Sequence, residues 1–149
     1  MSVIATFDRA ASPARLVADT PPVGASGAAR AILRLEGAAA LTAALAAYAH
    51  WGPGWGVFAL LFLVPDLSML GYLAGPRVGA AAYNAGHSYL GPAILAAAGL
   101  MAPAPLATAA ALVWVVHIGF DRLLGYGLKY PTAFGHTHLG AIGRAARAF

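Results

Sequence analysis

Residues 117–122, His-Ile-Gly-Phe-Asp-Arg, set an imidazole and a carboxylate four positions apart inside an otherwise apolar run. On a helix that spacing puts His117 and Asp121 on one face. Asn84 and His87 stand three apart in a second apolar run, and Asp66 directly follows Pro65 in a third. Neutral imidazole combined with carboxylate suits zinc, iron or manganese, and a chain with no cysteine has no soft thiolate to select otherwise. These residue types predict a divalent-metal site with Asp66, His87, His117 and Asp121 as ligands. Glu36 is the candidate general base toward a metal-bound water, whose pKa the ion lowers.

The elements that must hold such groups are membrane helices. Of 149 residues, 60% are hydrophobic and only 9% are charged, with a mean hydropathy of +0.73. Soluble domains carry about 25% charged residues, so this composition belongs to the membrane class. Four apolar segments, 31–50, 55–74, 78–100 and 105–124, each approach the ~20 residues that cross a ~30 Å hydrocarbon core. Backbone polar groups in lipid must be satisfied internally, which predicts helices, and the short Pro/Gly links WGPGWG, GPR and MAPAP make neighbours antiparallel. The expected fold is an all-α integral membrane four-helix bundle over residues 30–149. A tail, 1–29, precedes it, with a short amphipathic helix near Phe7 to Val17 and no secretory apolar core. The segment 125–149 is too polar and glycine-rich for a fifth span, and folds back as a lid at the mouth of the site.

Charge placement orients the bundle. Arg9, Arg15 and Arg30 precede the first segment, Arg77 separates the second and third, and Lys129, Arg144 and Arg147 follow the fourth. The other two links carry no charge, so both termini are expected on the cytoplasmic side, with Trp51 and Trp55 in the outer interfacial belt. Counted inward from the cytoplasmic helix ends at about 1.5 Å per residue, Glu36, Asp66, Asn84, His87, His117 and Asp121 all lie within about 15 Å of that face. Ionisable residues at such depth are costly, and mark a functional site. The scattered basic residues carry no aromatic-and-basic patch, which excludes a nucleic-acid partner and leaves membrane lipids.

Plainer readings compete with the functional one. Arg34 and Glu36 can form an interfacial pair. Arg122 is expected to be the positive partner of Asp66 or Asp121. Arg34, Glu36, Asp66, Arg77, Asp121 and Arg122 sum to zero formal charge, which suits a purely structural ion-pair network.

The stretches LRLEG (33–37), PDLSMLGYLAGPRVG (65–79), YNAGHSYLGP (83–92), HIGFDRLLGYGLKYPTAF (117–134) and THLGAIGR (137–144) resemble a family of small bacterial integral membrane proteins, the domain-of-unknown-function family 4260. The resemblance implies a four-span fold and places Arg34, Glu36, Asp66, Arg77, Asn84, His87, His117, Asp121, Arg122, Lys129 and His138 in the family pattern. Arg34, Arg77, Asn84, Arg122, Lys129 and His138 are accordingly candidates to bind substrate or support the ligands. His136 stands where the pattern has an acidic residue. A looser similarity runs to bacterial inner-membrane metal-dependent hydrolases that pair a Pro-Asp motif with a later His-Ser, here Pro65-Asp66 and His87-Ser88; the additional histidine before that His-Ser is missing.

Three function classes follow. The first is a metal-dependent inner-membrane hydrolase acting on a lipid or membrane-soluble substrate. The second is a proton-linked transporter, which with four spans per chain requires a homo-oligomer. The third is a haem or pigment subunit with His87 and His117 as axial ligands. No nucleotide loop or nucleophile elbow is present.

Overall fold

The computed structural model describes residues 24–143 and Ala146. The amphipathic helix expected near Phe7 to Val17, and Arg144 and Arg147, lie outside the described residues. The fold is mainly helical. Helix α1 runs from Gly27 to Trp51, four residues earlier than the apolar run alone implies. Gly52 and Pro53 end it, the Gly52 N–H closing the last turn on the Tyr48 carbonyl at 2.7 Å. Its buried residues, Gly37, Ala44 and Tyr48, recur at helical spacing and make one inward stripe.

That stripe faces α5, Pro105–Leu124, the most enclosed helix among the described residues. Proline at its first position costs no hydrogen bond. At its end Gly125 takes φ 96°, the Gly125 N–H bonds Arg122 O, and the Tyr126 N–H bonds Asp121 O at 2.8 Å. This is a Schellman closure, which needs the left-handed conformation that glycine adopts without a Cβ penalty. The two helices nearly touch: a Cβ on Gly119 would stand 2.7 Å from the Gly37 carbonyl oxygen and 2.8 Å from the Leu41 nitrogen.

The second segment keeps its expected bounds but changes character. Helix α2, Trp55–Phe62, ends before Pro65, and the chain continues as a 3-10 helix over Pro65–Ala74. Pro65 lacks the N–H that would continue the α-helical ladder, and its ring crowds the preceding turn. The expected unbroken third helix, 78–100, is corrected: the chain forms α3, Pro76–Gly86, and α4, Leu90–Met101, with a break at His87-Ser88-Tyr89. The cause is Pro92, which cannot donate to the carbonyl four residues back and disfavours helix before it. Among the described residues, three helices are long and apolar enough to cross a membrane: Gly27–Trp51, Trp55–Ala74 and Pro105–Leu124.

Tyr48, Ala109 and Val113 form a buried core with Phe58, Leu61, Phe62 and Leu112 packed around it. The surface is strongly apolar, with Leu60 78%, Leu73 88% and Met101 86% exposed, as suits a hydrocarbon surround and not water.

After Gly125 the chain doubles back toward α3 as a strap, residues 126–141. The Asn84 side chain donates to Lys129 O at 2.9 Å and accepts the Lys129 N–H at 2.7 Å, standing in for a neighbouring strand. A small hairpin follows, β1 His136–Thr137 and β2 Gly140–Ala141. Its His138 carbonyl receives the Ala25 N–H at 2.7 Å, tying the strap to the start of α1.

Candidate metal centre

Two helix interruptions and one continuous helix bring three side chains together. Asp66 comes from the first turn of the 3-10 helix, His87 from the break after α3, and His117 from α5. Irregular backbone at membrane depth is tolerated where protein covers it, and here its polar groups are satisfied from α5. Trp114 Nε1 donates to Gly86 O at 2.6 Å, and Arg122 Nη2 donates to His87 O at 3.1 Å. The Leu90 N–H turns to Ser88 Oγ at 3.2 Å.

Asp66, His87 and His117 offer donor atoms that all lie within 4.8 Å of one another. The sides of the triangle are 3.2 Å from His87 Nε2 to His117 Nε2, 3.4 Å from His87 Nε2 to Asp66 Oδ1, and 3.6 Å from His117 Nε2 to Asp66 Oδ1. Ligands about 2.0–2.1 Å from a tetrahedral zinc stand about 3.3 Å apart, so the donors already have the spacing of an ion's coordination face. The histidine side chains are 2% and 3% exposed while Asp66 is 33% exposed, so access is from the Asp66 side.

The imidazole of His87 is pre-set for ligation. Its Nδ1 lies 2.9 Å from the Tyr83 carbonyl, which can only accept, so the proton resides on Nδ1 and the Nε2 lone pair faces the triangle. The Tyr83 ring stacks on the same imidazole, centroids 3.7 Å apart and planes 10° from parallel. With His87 Nε2 bare, the short contact to His117 Nε2 requires a proton from His117 or an ion between them. His117 Nδ1 is buried without a hydrogen-bond partner among the described residues. Phe62 meets the His117 ring edge-on at 5.2 Å and closes that side with hydrocarbon.

Asp121 stands beside the triangle and is not part of it. Its Oδ2 lies 3.5 Å from His87 Nε2 and accepts a hydrogen bond from the Tyr83 hydroxyl at 3.0 Å. Glu36 is not brought to the ligands. It is exposed on α1 and lines a separate cavity of about 240 Å³ with Leu33, Gly37, Tyr89, Arg122 and His138. Arg122 makes no carboxylate pair within salt-bridge distance among the described residues, contrary to the expected partnership with Asp66 or Asp121; its guanidinium serves the carbonyls of His87 and Tyr126. Arg34 Nε likewise donates to a carbonyl, Leu123 O at 2.8 Å, near the end of α5, and Arg77 is exposed in the first turn of α3.

The strap supplies two further groups. Lys129 Nζ lies 4.0 Å from the Phe134 ring centre and 4.9 Å from that of Tyr83, and burial lowers its pKa to about 8 against the opposing pull of Asp121. His138 Nδ1 accepts the Leu128 N–H at 2.8 Å, and burial followed by the Arg122 charge holds this histidine below its usual pKa. Tyr83 escaped the sequence reading; its position four residues before His87 was the signal available.

A family model described as Domain of unknown function (DUF4260) matches residues 30–142. The chain belongs to that family. The matched region contains all three ligand candidates and the strap as far as β2, as the motif resemblance implied. No curated protein and no solved structure matches the chain.

Proposed function

We propose that this protein is a metal-dependent membrane enzyme of the hydrolase type, acting on a lipid or other membrane-soluble substrate. The donor triangle of Asp66, His87 and His117 carries the reading. Its spacing fits zinc-type coordination, one ligand's tautomer is already set, and three protein ligands leave a position open for water or substrate. A bound divalent ion would polarise a substrate carbonyl or phosphoryl oxygen and acidify a bound water. Asp121, held by Tyr83 at the edge of the triangle, is the nearest remaining carboxylate among the described residues and takes the general-base role first expected of Glu36. The haem alternative lacks support, because imidazoles with Nε2 atoms 3.2 Å apart leave no gap for a porphyrin. In this reading α3 and α4 together complete a fourth crossing of the bacterial inner membrane, both termini are cytoplasmic, and the strap is the cytoplasmic lid.

The test is elemental analysis of protein purified in detergent without chelator. The expected result is stoichiometric zinc, iron or manganese, lost in His117→Ala and retained in Glu36→Gln. Metal-free wild-type protein that takes up none of these ions on titration would sink the reading.

A further inference from the structure

An apolar cavity lies beside the residues that carry the triangle. It has a volume of about 310 Å³ and is lined by Leu61, Pro65, Ser68, Gly86, Ala110 and Trp114, among others. Pro65 immediately precedes Asp66, Gly86 immediately precedes His87, and Trp114 lies one turn before His117 on α5. Each ligand therefore has a neighbour in the cavity wall. Glycine at position 86 keeps the lining close, since a Cβ there would stand 2.8 Å from Ser68 Oγ and 3.2 Å from Pro65 O.

One residue of this largely hydrocarbon lining carries an unsatisfied hydroxyl. Ser68 Oγ is buried and has no hydrogen-bond partner among the described residues. A hydroxyl in so apolar a setting is destabilising unless a hydrogen-bond partner completes it, and the carbonyl oxygen of a bound molecule is one such partner. Ligand pockets span about 300–1,000 Å³ and are mostly apolar with a few placed polar groups; this one is at the small end, with room for one hydrocarbon chain and not a pair.

We infer that the cavity holds the single hydrocarbon chain of a fatty-acyl substrate, with Ser68 Oγ donating to the acyl carbonyl oxygen and the scissile end presented to the Asp66-His87-His117 centre. This rests on the metal-enzyme reading for its chemistry, while the cavity itself is independent of it. Hydrolysis would then cleave the bond between the acyl carbonyl carbon and its leaving oxygen or nitrogen: water adds its oxygen to the acyl group, and the leaving group departs with a proton. Outward leucines such as Leu60 and Leu67, 78% and 62% exposed, meet bulk lipid and provide the background against which specific occupancy is measured.

The probe is palmitic acid bearing a mid-chain diazirine, photolysed with the full-length protein in detergent, with adducts mapped by mass spectrometry and metal content measured on the same sample. Adducts are expected on Leu61, Ala110 and Trp114. They should fall at least tenfold in Ala110→Phe, which fills the cavity. Ser68→Ala, which leaves the space open, should weaken competition by unlabelled palmitic acid about two- to tenfold, the worth of one net hydrogen bond. Adducts confined to Leu60 and Leu67, or cavity adducts indifferent to both substitutions, would overturn the inference. Cavity labelling in a protein that binds no metal would leave the acyl site standing and remove the hydrolase reading; bound metal with no cavity labelling would do the reverse.

Discussion

The guanidinium of Arg122 on α5 reaches the carbonyl oxygen of His87 at 3.1 Å, fastening the break between α3 and α4 to the helix that carries His117. The contact satisfies a backbone acceptor that the break leaves without a helical donor, and it holds the backbone of one ligand against the helix of another. Arg122→Ala removes donors from two carbonyls, those of His87 and Tyr126. The buried His87 carbonyl left unpaired costs about 1–3 kcal/mol, and the more exposed Tyr126 carbonyl less. The variant is expected to unfold at lower temperature than wild type and to bind metal more weakly, read by thermal denaturation in detergent and by metal titration; unchanged values in both would remove Arg122 from the architecture of the centre.

Tyr83 touches the centre in three ways, and one substitution separates them. Tyr83→Phe deletes the hydroxyl that holds Asp121 but leaves the backbone carbonyl that sets the His87 tautomer. Loss of such supporting partners costs about 10- to 100-fold in affinity or activity. Tyr83→Phe should therefore keep stoichiometric metal while lowering any hydrolytic rate, whereas His117→Ala should lose the metal outright. Equal metal loss in both variants would contradict this division of roles.

The close crossing of α1 and α5 depends on Gly119. A Cβ there meets the backbone of Gly37 and Leu41, which cannot swing aside as a side chain can. Gly119→Ala is expected to destabilise by about 1–3 kcal/mol, the usual cost of overpacking. Gly56→Ala on α2, where a Cβ meets nothing within 4 Å, serves as the control and should be neutral or stabilising by up to about 1 kcal/mol.

Asn84 pins the strap through both backbone groups of Lys129. Asn84→Ala should expose the bond after Lys129 to trypsin, so that cleavage there runs faster than in wild type while cleavage after Arg77 does not change. A protected Lys129 in the variant would show that the hairpin alone holds the strap.

Lys129 also predicts a pH dependence. Burial brings its pKa down to about 8 from the ordinary 10.5, so above about pH 8 the folded state has released a proton that the unfolded chain keeps until near pH 10.5. The unfolded state binds more protons across that window, and this contribution makes stability rise with pH there. Lys129→Met is expected to abolish that rise and to be more stable than wild type at pH 7, checked by denaturation midpoints across the window. A wild-type curve that falls as Lys129 deprotonates would reverse the sign of the argument.

Much of the scaffold is legible in the residues alone. Apolar runs of membrane length mark α1, the Trp55–Ala74 segment and α5, because the hydrocarbon thickness dictates helix length. Pro65 announces the change of helix type beside Asp66. Pro92 carried the same information about the break beside His87, but an apolar count gives a proline little weight while the missing N–H decides the backbone. The candidate ligands were visible as types: an imidazole or carboxylate in grease is expensive enough to be noticed.

Which of those groups meet was decided only by the tertiary structure. Spacing along one helix places His117 and Asp121 on a shared face, but the rotation of that helix against its neighbours is set by packing at Gly37 and Gly119, and it puts His117 into the triangle and Asp121 beside it. Glu36 had the depth for the site, yet α1 carries it to a different cavity. Arg122 was expected to seek a carboxylate, but a guanidinium offers five donors to whatever acceptors surround it, and the broken helix supplied carbonyls. Residue identity determined the chemistry available to this chain and the membrane that surrounds it; contacts between residues distant in sequence determined which of those residues form one centre.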